Sequence, residues 1–375
     1  MFFVLGLSTA ALGAALPSLR RIYDLPDQDG GWLVSAYNLG ALAAILICGL
    51  GSRRLSQRIA LRTLLALFTC GAIAMGVVGT WPVFCIATVL AGAGYGGLTL
   101  YLNSIVARHS SDDSFSILSR INAVFGVGAI LGPLAVSAAD THARAVFLVA
   151  GVLAPLGIGV DKLEQPSKSR VPPSKATTFR THRRVVVVFF ALGFLYAGLE
   201  TGIGASEATH LDRVGHTAVT AARIASLFWV GLCIGRFLIP TLARTQAPRR
   251  IVRLSLVAAT GSLLAAAHPP IAPIAYAACG FFLAPVLPAV LKWIAQTMED
   301  NQLANALLFT ASMTGSVVLP ALVDVLTRRS PARSIPLSIA CISITAIATT
   351  FLIPRLLQSG TSIAASSANG VSPDS

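Results

Sequence analysis

"KLEQPSKSRVPPSKATTFRTHRR", Lys162 to Arg184, is the widest polar break in the chain. It is basic and carries Pro and Ser, so it reads as a flexible linker lying near an anionic leaflet. On both sides the sequence is a train of apolar runs. Working outward, six spans precede the break, near 1–19, 31–51, 60–79, 82–107, 115–138 and 145–161. Six follow it, near 185–208, 218–243, 251–267, 271–297, 302–327 and 335–357. Most are long enough to cross a hydrocarbon core of ~30 Å, which only helices or closed barrels can do. The expected fold is an all-α polytopic membrane protein with 12 transmembrane helices in two six-helix bundles, 1–161 and 185–357. The cytoplasmic linker 162–184 joins them, and a Ser/Ala/Gly-rich tail, 358–375, is expected to be disordered and cytoplasmic.

Composition makes the same case. Of 375 residues, 55% are hydrophobic and 11% charged, too apolar for a soluble domain of this size. A net charge of +13 would suggest nucleic acid as partner in a soluble chain. Here Lys and Arg cluster between apolar runs, which is what membrane topology imposes, so no nucleic-acid partner is expected. A cytoplasmic N-terminus puts most of the 28 Lys and Arg on the cytoplasmic side. These include Arg53, Arg54, Arg58 and Arg62 after the second span and Arg244, Arg249, Arg250 and Arg253 after the eighth. Arg20, Arg21 and "RRSPARS" after the eleventh span run against this trend. The expected location is the plasma or inner membrane, with both termini cytoplasmic and lipid all round.

The opening run "MFFVLGLSTAALGAALP" has no basic n-region and is followed by another span, so it reads as a span and not as a cleaved leader. The six cysteines, Cys48, Cys70, Cys85, Cys233, Cys279 and Cys341, fall inside apolar runs with no CxxC pair. They read as packing residues, and neither a metal nor a cofactor is expected.

The two sets of six resemble each other. "GYGGLTLYLNSIVA" from Gly94 and "GFFLAPVLPAVLKWIA" from Gly280 both occupy a fourth span, and "LGPLA" at Leu131 matches "VLPAL" at Val318 in a fifth. The offset stays near 187–190 residues, the mark of parallel six-span repeats. A two-fold axis along the membrane normal then relates the halves and leaves a seam at mid-membrane where a polar solute can be held. That arrangement argues for a transporter working as a monomer.

On these residues the chain resembles the major facilitator superfamily, over essentially its whole length. "LPSLRRIYDLPDQDGGWLVSAYNLGALAA" from Leu16 looks like that family's first loop and second helix. "GLGSRRLSQRIALR" from Gly49 sits where its loop motif belongs, and "GRFLIPTLARTQAPRR" from Gly235 is the second-half counterpart. The branch it resembles is that of fucose-permease-like sugar:proton symporters, through "FLYAGLETGIGASEATHL" from Phe194, "AGAGYGGLTLYLNSIVA" from Ala91 and "NAVFGVGAILGPL" from Asn122. There are departures. The loop motif keeps Gly49, Arg54 and Arg58, but Arg53 stands at its acidic position and Ser56 at its second glycine. The resemblance implies a conformational latch in that loop, with Arg54 and Arg58 as gating candidates. Fucose-type symporters carry carboxylates in the first and fourth spans. Here the first span has none and the fourth offers Tyr95, Tyr101 and Asn103.

Glu200 is the exception within the apolar runs. It lies about 22 Å into its span at 1.5 Å per residue, where a charge costs about 3 kcal/mol on insertion scales. Facing the seam, it would be a proton carrier or an acceptor for substrate hydroxyls; facing a neighbouring helix, a structural carboxylate. Gly198, Gly202 and Gly204 around it suit the discontinuous helices that line transporter cavities. Glu207 and Asp324 read as residues of the outer interface, and all six histidines as loop or span-end residues.

Asn38 and Asn103 would bind substrate across the seam or join helices to each other, and Asn122 is a further candidate ligand in the fifth span. Tyr37, Tyr95, Tyr101, Tyr196 and Trp229 offer stacking surfaces or simple packing. Arg120, Lys292 and Arg236 lie where long side chains snorkel, and Arg236, which also matches a family position near the inner gate, would serve gating or structural pairing. Gly128, Gly132 and Pro133 partly fit the G-x-x-x-G-P motif of efflux antiporters; small residues permit close helix approach and Pro permits a bend.

The leading expectation is a secondary active transporter for a small organic solute, sugar-like or otherwise polar, working by alternating access and coupled to protons. Efflux of drugs or secondary metabolites by an antiporter is the alternative, favoured by sparse charge in the cavity. No P-loop, HExxH, GxSxG or paired-Asp motif is present, so neither a nucleotide-driven pump nor an enzyme is expected.

Overall fold

The computed structural model of the chain describes residues 1–26, 29–51, 57–109, 114–156, 179–242, 246–297 and 301–368. Side chains are described throughout these ranges except at 49–51, 57, 104–109, 114–122, 179–184, 240–242, 301–306 and 354–368. The first half consists of α1 (Phe2–Ile22), α2 (Leu33–Gly51), α3 (Gln57–Val77), α4 (Trp81–His109), α5 (Ser114–Ala139) and α6 (Ala145–Leu153). The second consists of α7 (Phe179–Arg213), α8 (Ala218–Leu242), α9 (Pro248–Ala266), α10 (Ala272–Leu283), α11 (Val286–Thr297), α12 (Asn301–Thr327) and α13 (Ser334–Ala368).

Among the described residues, thirteen helical segments make twelve spans because α10 and α11 are two parts of one span, Pro269–Thr297. It breaks at Ala284 and Pro285, where proline removes a backbone donor and its ring presses on the preceding turn. Hydrogen bonds resume at once on each side, Ala284 N to the Gly280 carbonyl and Ala289 N to the Pro285 carbonyl. Among the described residues, nine helices are long and apolar enough to cross a membrane by length and composition, with shorter apolar helices at Leu33–Cys48 and Ala145–Leu156. The remaining span, α9, starts with Arg249, Arg250 and Arg253, which lower its mean hydropathy.

The halves repeat one packing plan. In the first, α1 packs on α5, α2 on α4, and α3 on α4 and α6. In the second, α7 packs on α12, α8 on α10, and α9 on α10 and α13. The seam between them is formed by α1 on α7, α2 on α12 and α5 on α8.

The repeat extends to single residues. A Cβ on Gly6 would strike the Phe125 carbonyl, and one on Gly128 the Phe3 carbonyl, so α1 and α5 meet backbone to backbone. At the matching crossing of α7 and α12, Gly193 lies on Leu308 and Gly315 on the Phe194 carbonyl. Gly132 adds a contact with the Leu7 carbonyl, and Pro133 and Pro320 occupy matching places inside α5 and α12. The surface carries large apolar side chains, among them Ile47, Phe237, Ile274 and Val325, as a lipid-facing belt requires.

Three sequence expectations meet a different structure. Despite Gly198, Gly202 and Gly204, α7 is unbroken from Phe179 to Arg213. Two of these glycines serve packing: Gly198 seats Leu319 of α12, and the Gly204 carbonyl faces Gly13 of α1. Backbone bonds broken at membrane depth need other partners, and close packing offers none. Secondly, α7 begins inside the expected linker, whose residues 162–178 lie outside the described residues. Thirdly, α13 continues as helix to Ala368, beyond the expected end of the last span at 357, while 369–375 lie outside the described residues.

Candidate functional site

Near its middle, α7 carries Tyr196 and Glu200, one turn apart on the same face. Glu200 is 13 residues from the end of α7 at Arg213, about 20 Å at 1.5 Å per residue, which puts it at mid-span. Arg236 of α8 answers it: Arg236 Nη2 stands 3.5 Å from Glu200 Oε1, with the carboxylate side chain 18% exposed and the guanidinium 34%. The Tyr196 phenol is buried within electrostatic reach of both charges, and its oxygen has no hydrogen-bond partner among the described residues. The pair is loosely held. Its separation is that of two charges attracted without a tight hydrogen bond, leaving lone pairs and N–H groups for a third party.

The first half faces this pair with hydroxyls and rings. Tyr95 of α4 feels the Glu200 charge across the seam. Its ring lies 5.3 Å from that of Tyr37 of α2, tilted by 38°. Thr9 Oγ1 of α1 lies 3.4 Å from the Tyr37 oxygen. Beside them the Ser8 hydroxyl of α1 is buried with no partner among the described residues. Trp229 of α8 closes one wall, close enough to Gly204 that a Cβ there would sit 3.3 Å from its ring. Five helices from both halves thus bring one charge pair, three phenols and several hydroxyls together at mid-membrane.

Other sequence candidates lie elsewhere. Asn38 is buried and its Nδ2 donates to the Val34 carbonyl of its own helix at 3.0 Å. Asn103 Oδ1 is buried without a partner among the described residues, two turns along α4 from Tyr95. Tyr101 packs against Cys48 of α2. Asn122 lies on α5 with its side chain outside the described residues, as does Arg120. Arg54 also lies outside them, whereas Arg58 is exposed in the first turn of α3. Lys292 is exposed on α11.

The structure adds two features. The first is a polar clasp where α1 and α7 end. Arg20 Nε donates to the Asp29 carbonyl at 2.8 Å, and its Nη1 to Thr209 Oγ1 at 3.3 Å. Arg21 Nη2 lies 2.8 Å from Asp212 Oδ1. At the same end Asp324 of α12 bonds Arg328 at 3.0 Å and is pressed so closely onto Gly31, just before α2, that no Cβ fits there. Arg20 and Arg213 also act on the Asp324 charge. Asp324 is 8% exposed, more enclosed than an interface residue in open solvent. This clasp accounts for Arg20 and Arg21 standing against the charge bias: they bind across the seam. A cavity of about 510 Å³ opens beside it, lined in part by Arg20, Arg21, Asp24, Asp212 and His216.

The second feature corrects an expectation. Glu207 is 1% exposed and His210 0% exposed, so neither belongs to a solvated span end. Both face into the second half, where α10 supplies the buried Tyr276 and Cys279. Sequence reading missed them because Glu207 sits near the end of an apolar run, a place where charged residues normally reach water. The signal present was the i, i+3 spacing of Glu207 and His210 among small residues.

Over 262 residues the chain is 23% identical to the glucose/mannose transporter GlcP of Bacillus subtilis (strain 168), covering 65% of this chain and 64% of that protein. Over 184 residues it is 27% identical to the drug efflux pump JefA of Mycobacterium tuberculosis (strain ATCC 25618 / H37Rv), covering 45% of this chain and 35% of that one. The aligned part of such curated relatives is between 26% and 64% of their own length.

Among solved structures, a bacterial homolog of the human lysosomal transporter Spinster, in an inward-facing and unoccupied conformation, matches with a TM-score of 0.78 at 14% identity, covering 96% of each chain. The transporter FucP in the outward conformation matches with a TM-score of 0.62 at 15% identity, covering 94% of this chain and 97% of that one. Identities this low establish a shared fold. The sequence profile of the Major Facilitator Superfamily matches residues 1–278, most of the chain. With twelve spans in two like halves and a polar site on the seam, this chain belongs to the Major Facilitator Superfamily of membrane transporters.

Proposed function

We propose that the protein is a secondary active transporter that moves a small polar organic solute, sugar-like in its hydroxyl pattern, by alternating access coupled to protons. The observation that carries this reading is the Glu200–Arg236 pair at mid-span, faced across the seam by Tyr37 and Tyr95. A carboxylate accepts from a sugar hydroxyl, a guanidinium donates to one, and phenol rings stack on the sugar's apolar face. The similarity to a protein named as a glucose/mannose transporter supports the substrate class.

With cytoplasmic termini, α1 and α7 end at the outer face, and the clasp of Arg20, Arg21, Thr209 and Asp212 seals the site from that side. Solute then enters or leaves from the cytoplasm until the halves, 1–161 and 185–357, rock about the site and part the clasp. The protein works as a monomer in the plasma or inner membrane.

The test is uptake of radiolabelled glucose, mannose and fucose by proteoliposomes carrying wild type or Arg236→Gln, with and without an imposed pH gradient. Gradient-driven uptake of one sugar by wild type and its loss in the variant support the reading. Flux of none of the sugars overturns the substrate class, and flux indifferent to the gradient overturns proton coupling.

Efflux is the second reading. It rests on the similarity to a protein named as a drug efflux pump and on the sparse charge at the seam. Energy-dependent extrusion of a cationic dye from cells, lost in Arg236→Gln, would favour it.

A further inference from the structure

Glu207 is the most enclosed carboxyl described in the protein, and nothing of opposite charge answers it. It is 1% exposed, its Oε1 has no hydrogen-bond partner, and no cation acts on it, all among the described residues. An unpaired buried charge is among the costliest features a fold can carry. A structural carboxyl could have been replaced by an amide or an apolar group at no loss. Glu200, by contrast, has the permanent charge of Arg236 opposite it.

The surroundings of Glu207 suit a group that gains and loses a proton. His210, one turn along the same helix, is 0% exposed, and its Nδ1 lies 3.0 Å from the Tyr276 hydroxyl of α10. If the phenol donates in that bond, the ring proton of His210 sits on Nε2, which is buried and has no partner among the described residues. A carboxyl oxygen and an imidazole nitrogen are therefore both unsatisfied, one turn apart. Ionisable neighbours are few. Tyr276 and Cys279 face Glu207 from α10, and the thiol of Cys279 donates to the Ala259 carbonyl of α9 at 3.7 Å. Arg213 and His216 act on His210 from the end of α7. The arginines of α9 stand at its far end, α12 brings Asp324 nearer Arg213, and α13 carries only the exposed Cys341 between 334 and 353. From α1, Arg20 donates to Thr209 Oγ1.

The same two turns of α7 do a second job. Thr209 and Asp212 hold the clasp to α1, while Glu207 and His210 face into the second half. Whatever shifts this stretch of helix is felt by both.

We propose that Glu207, His210 and Tyr276 form a buried proton-binding centre, separate from the Glu200–Arg236 pair, and that its occupancy is linked to closure of the α1–α7 clasp. With the clasp closed, Glu207 holds the proton on its carboxyl and no charge is buried. When the clasp parts, water reaches the end of α7, the proton leaves to that side, and the carboxylate is held by the Nε2 proton of His210. Linkage makes the effect reciprocal: closure favours the proton, and the proton favours closure. The consequence for transport rests on the alternating-access reading given above; the centre itself does not.

Infrared spectroscopy of the full chain in liposomes, titrated with pH and without any solute, tests this. The protonated-carboxyl band of wild type should disappear in Glu207→Gln and persist in Glu200→Gln. Glu207→Asp, which keeps the acid, should retain a shifted band and guards against reading a misfolded Gln variant as support. A full band in folded Glu207→Gln overturns the centre.

The link is tested by the double variant Arg20→Gln/Arg21→Gln, which removes both guanidiniums of the clasp. Loss of nearby positive charge alone would make Glu207 keep its proton to higher pH. Loss of closure makes it release the proton at lower pH, and this is the expected result. Release at unchanged or higher pH overturns the link. A transporter that moves none of the sugars but still shows the Glu207 band fails only the substrate reading.

Discussion

The two halves of this molecule share a scaffold and differ in chemistry. Gly6 and Gly128 let α1 and α5 touch in the first half; Gly193 and Gly315, 187 residues on, stand at the crossing of α7 and α12 in the second. Carried across the same offset, Glu200 corresponds to Gly13 and Glu207 to Arg20. The first half thus presents a glycine to the crossing of α1 and α7 and an arginine to the clasp, where the second has carboxyls. Around the seam it adds hydroxyls and rings, Ser8, Thr9, Tyr37 and Tyr95, while the second half adds the charges Glu200 and Arg236. Packing was kept in both copies because it is what holds helices together where lipid removes the hydrophobic drive between them. Charge at membrane depth is costly wherever it stands, so one set is enough.

The largest effect should come from attacking the shared scaffold. Gly128→Leu and Gly315→Leu each force a side chain onto a carbonyl of the partner helix. Each should cost about 3 kcal/mol or more, and neither should give a monodisperse peak in detergent. Gly261→Ala, with nothing within 4 Å of its Cβ, is the control. It should be neutral or gain about 0.5 kcal/mol from helix propensity. If only one half were sensitive, the equivalence of the two crossings would be lost.

Next comes the charge unique to the second half. Arg236→Gln leaves Glu200 unpaired and should lower stability by about 2 kcal/mol, less than for a fully buried pair because both groups are partly exposed. Adding Glu200→Gln should restore thermal stability without restoring transport. A double variant no more stable than the single one would show that the two charges do not depend on each other.

The contribution of the first half is smaller. Tyr37→Phe and Tyr95→Phe each remove one hydroxyl and keep the ring. At about 0.5–1.5 kcal/mol per hydrogen bond, apparent solute affinity should fall roughly two- to tenfold with little change in stability. No change in either would confine recognition to the second half. Smallest of all, Asn38→Ala breaks a bond within its own helix, worth about 0.6 kcal/mol in a membrane. Its solute affinity should match wild type; a loss would mean that Asn38 turns toward the solute when the halves move.

Much of the fold was legible along the chain, and less of the site. Glu200 stood out because a carboxylate amid apolar residues has no local explanation. Arg236 read as a residue able to snorkel, with gating or structural pairing as its roles, but nothing in the order of the chain named Glu200 as its partner. The glycines around Glu200 suggested a broken helix, yet α7 is continuous, and the break lies at Pro285 in the tenth span. A glycine is compatible with either a bend or a close approach, and the choice depends on what lies opposite. Glu207 was misread for a similar reason: its distance from the end of the run said nothing about which way it points.

Span number, apolar run length and the 187-residue repeat are properties of the chain taken in order, set against the fixed thickness of a bilayer, and so the sequence by itself determined the architecture. Which polar groups meet is a property of helix rotation and crossing. Arg20 finds Thr209 across 189 positions, and His210 finds Tyr276 across 66. A turn of a helix by one residue, 100°, would take either away from its partner. Only the tertiary structure, through close packing at the glycine crossings, decided those angles and with them the Glu200–Arg236 pair, the clasp and the buried Glu207.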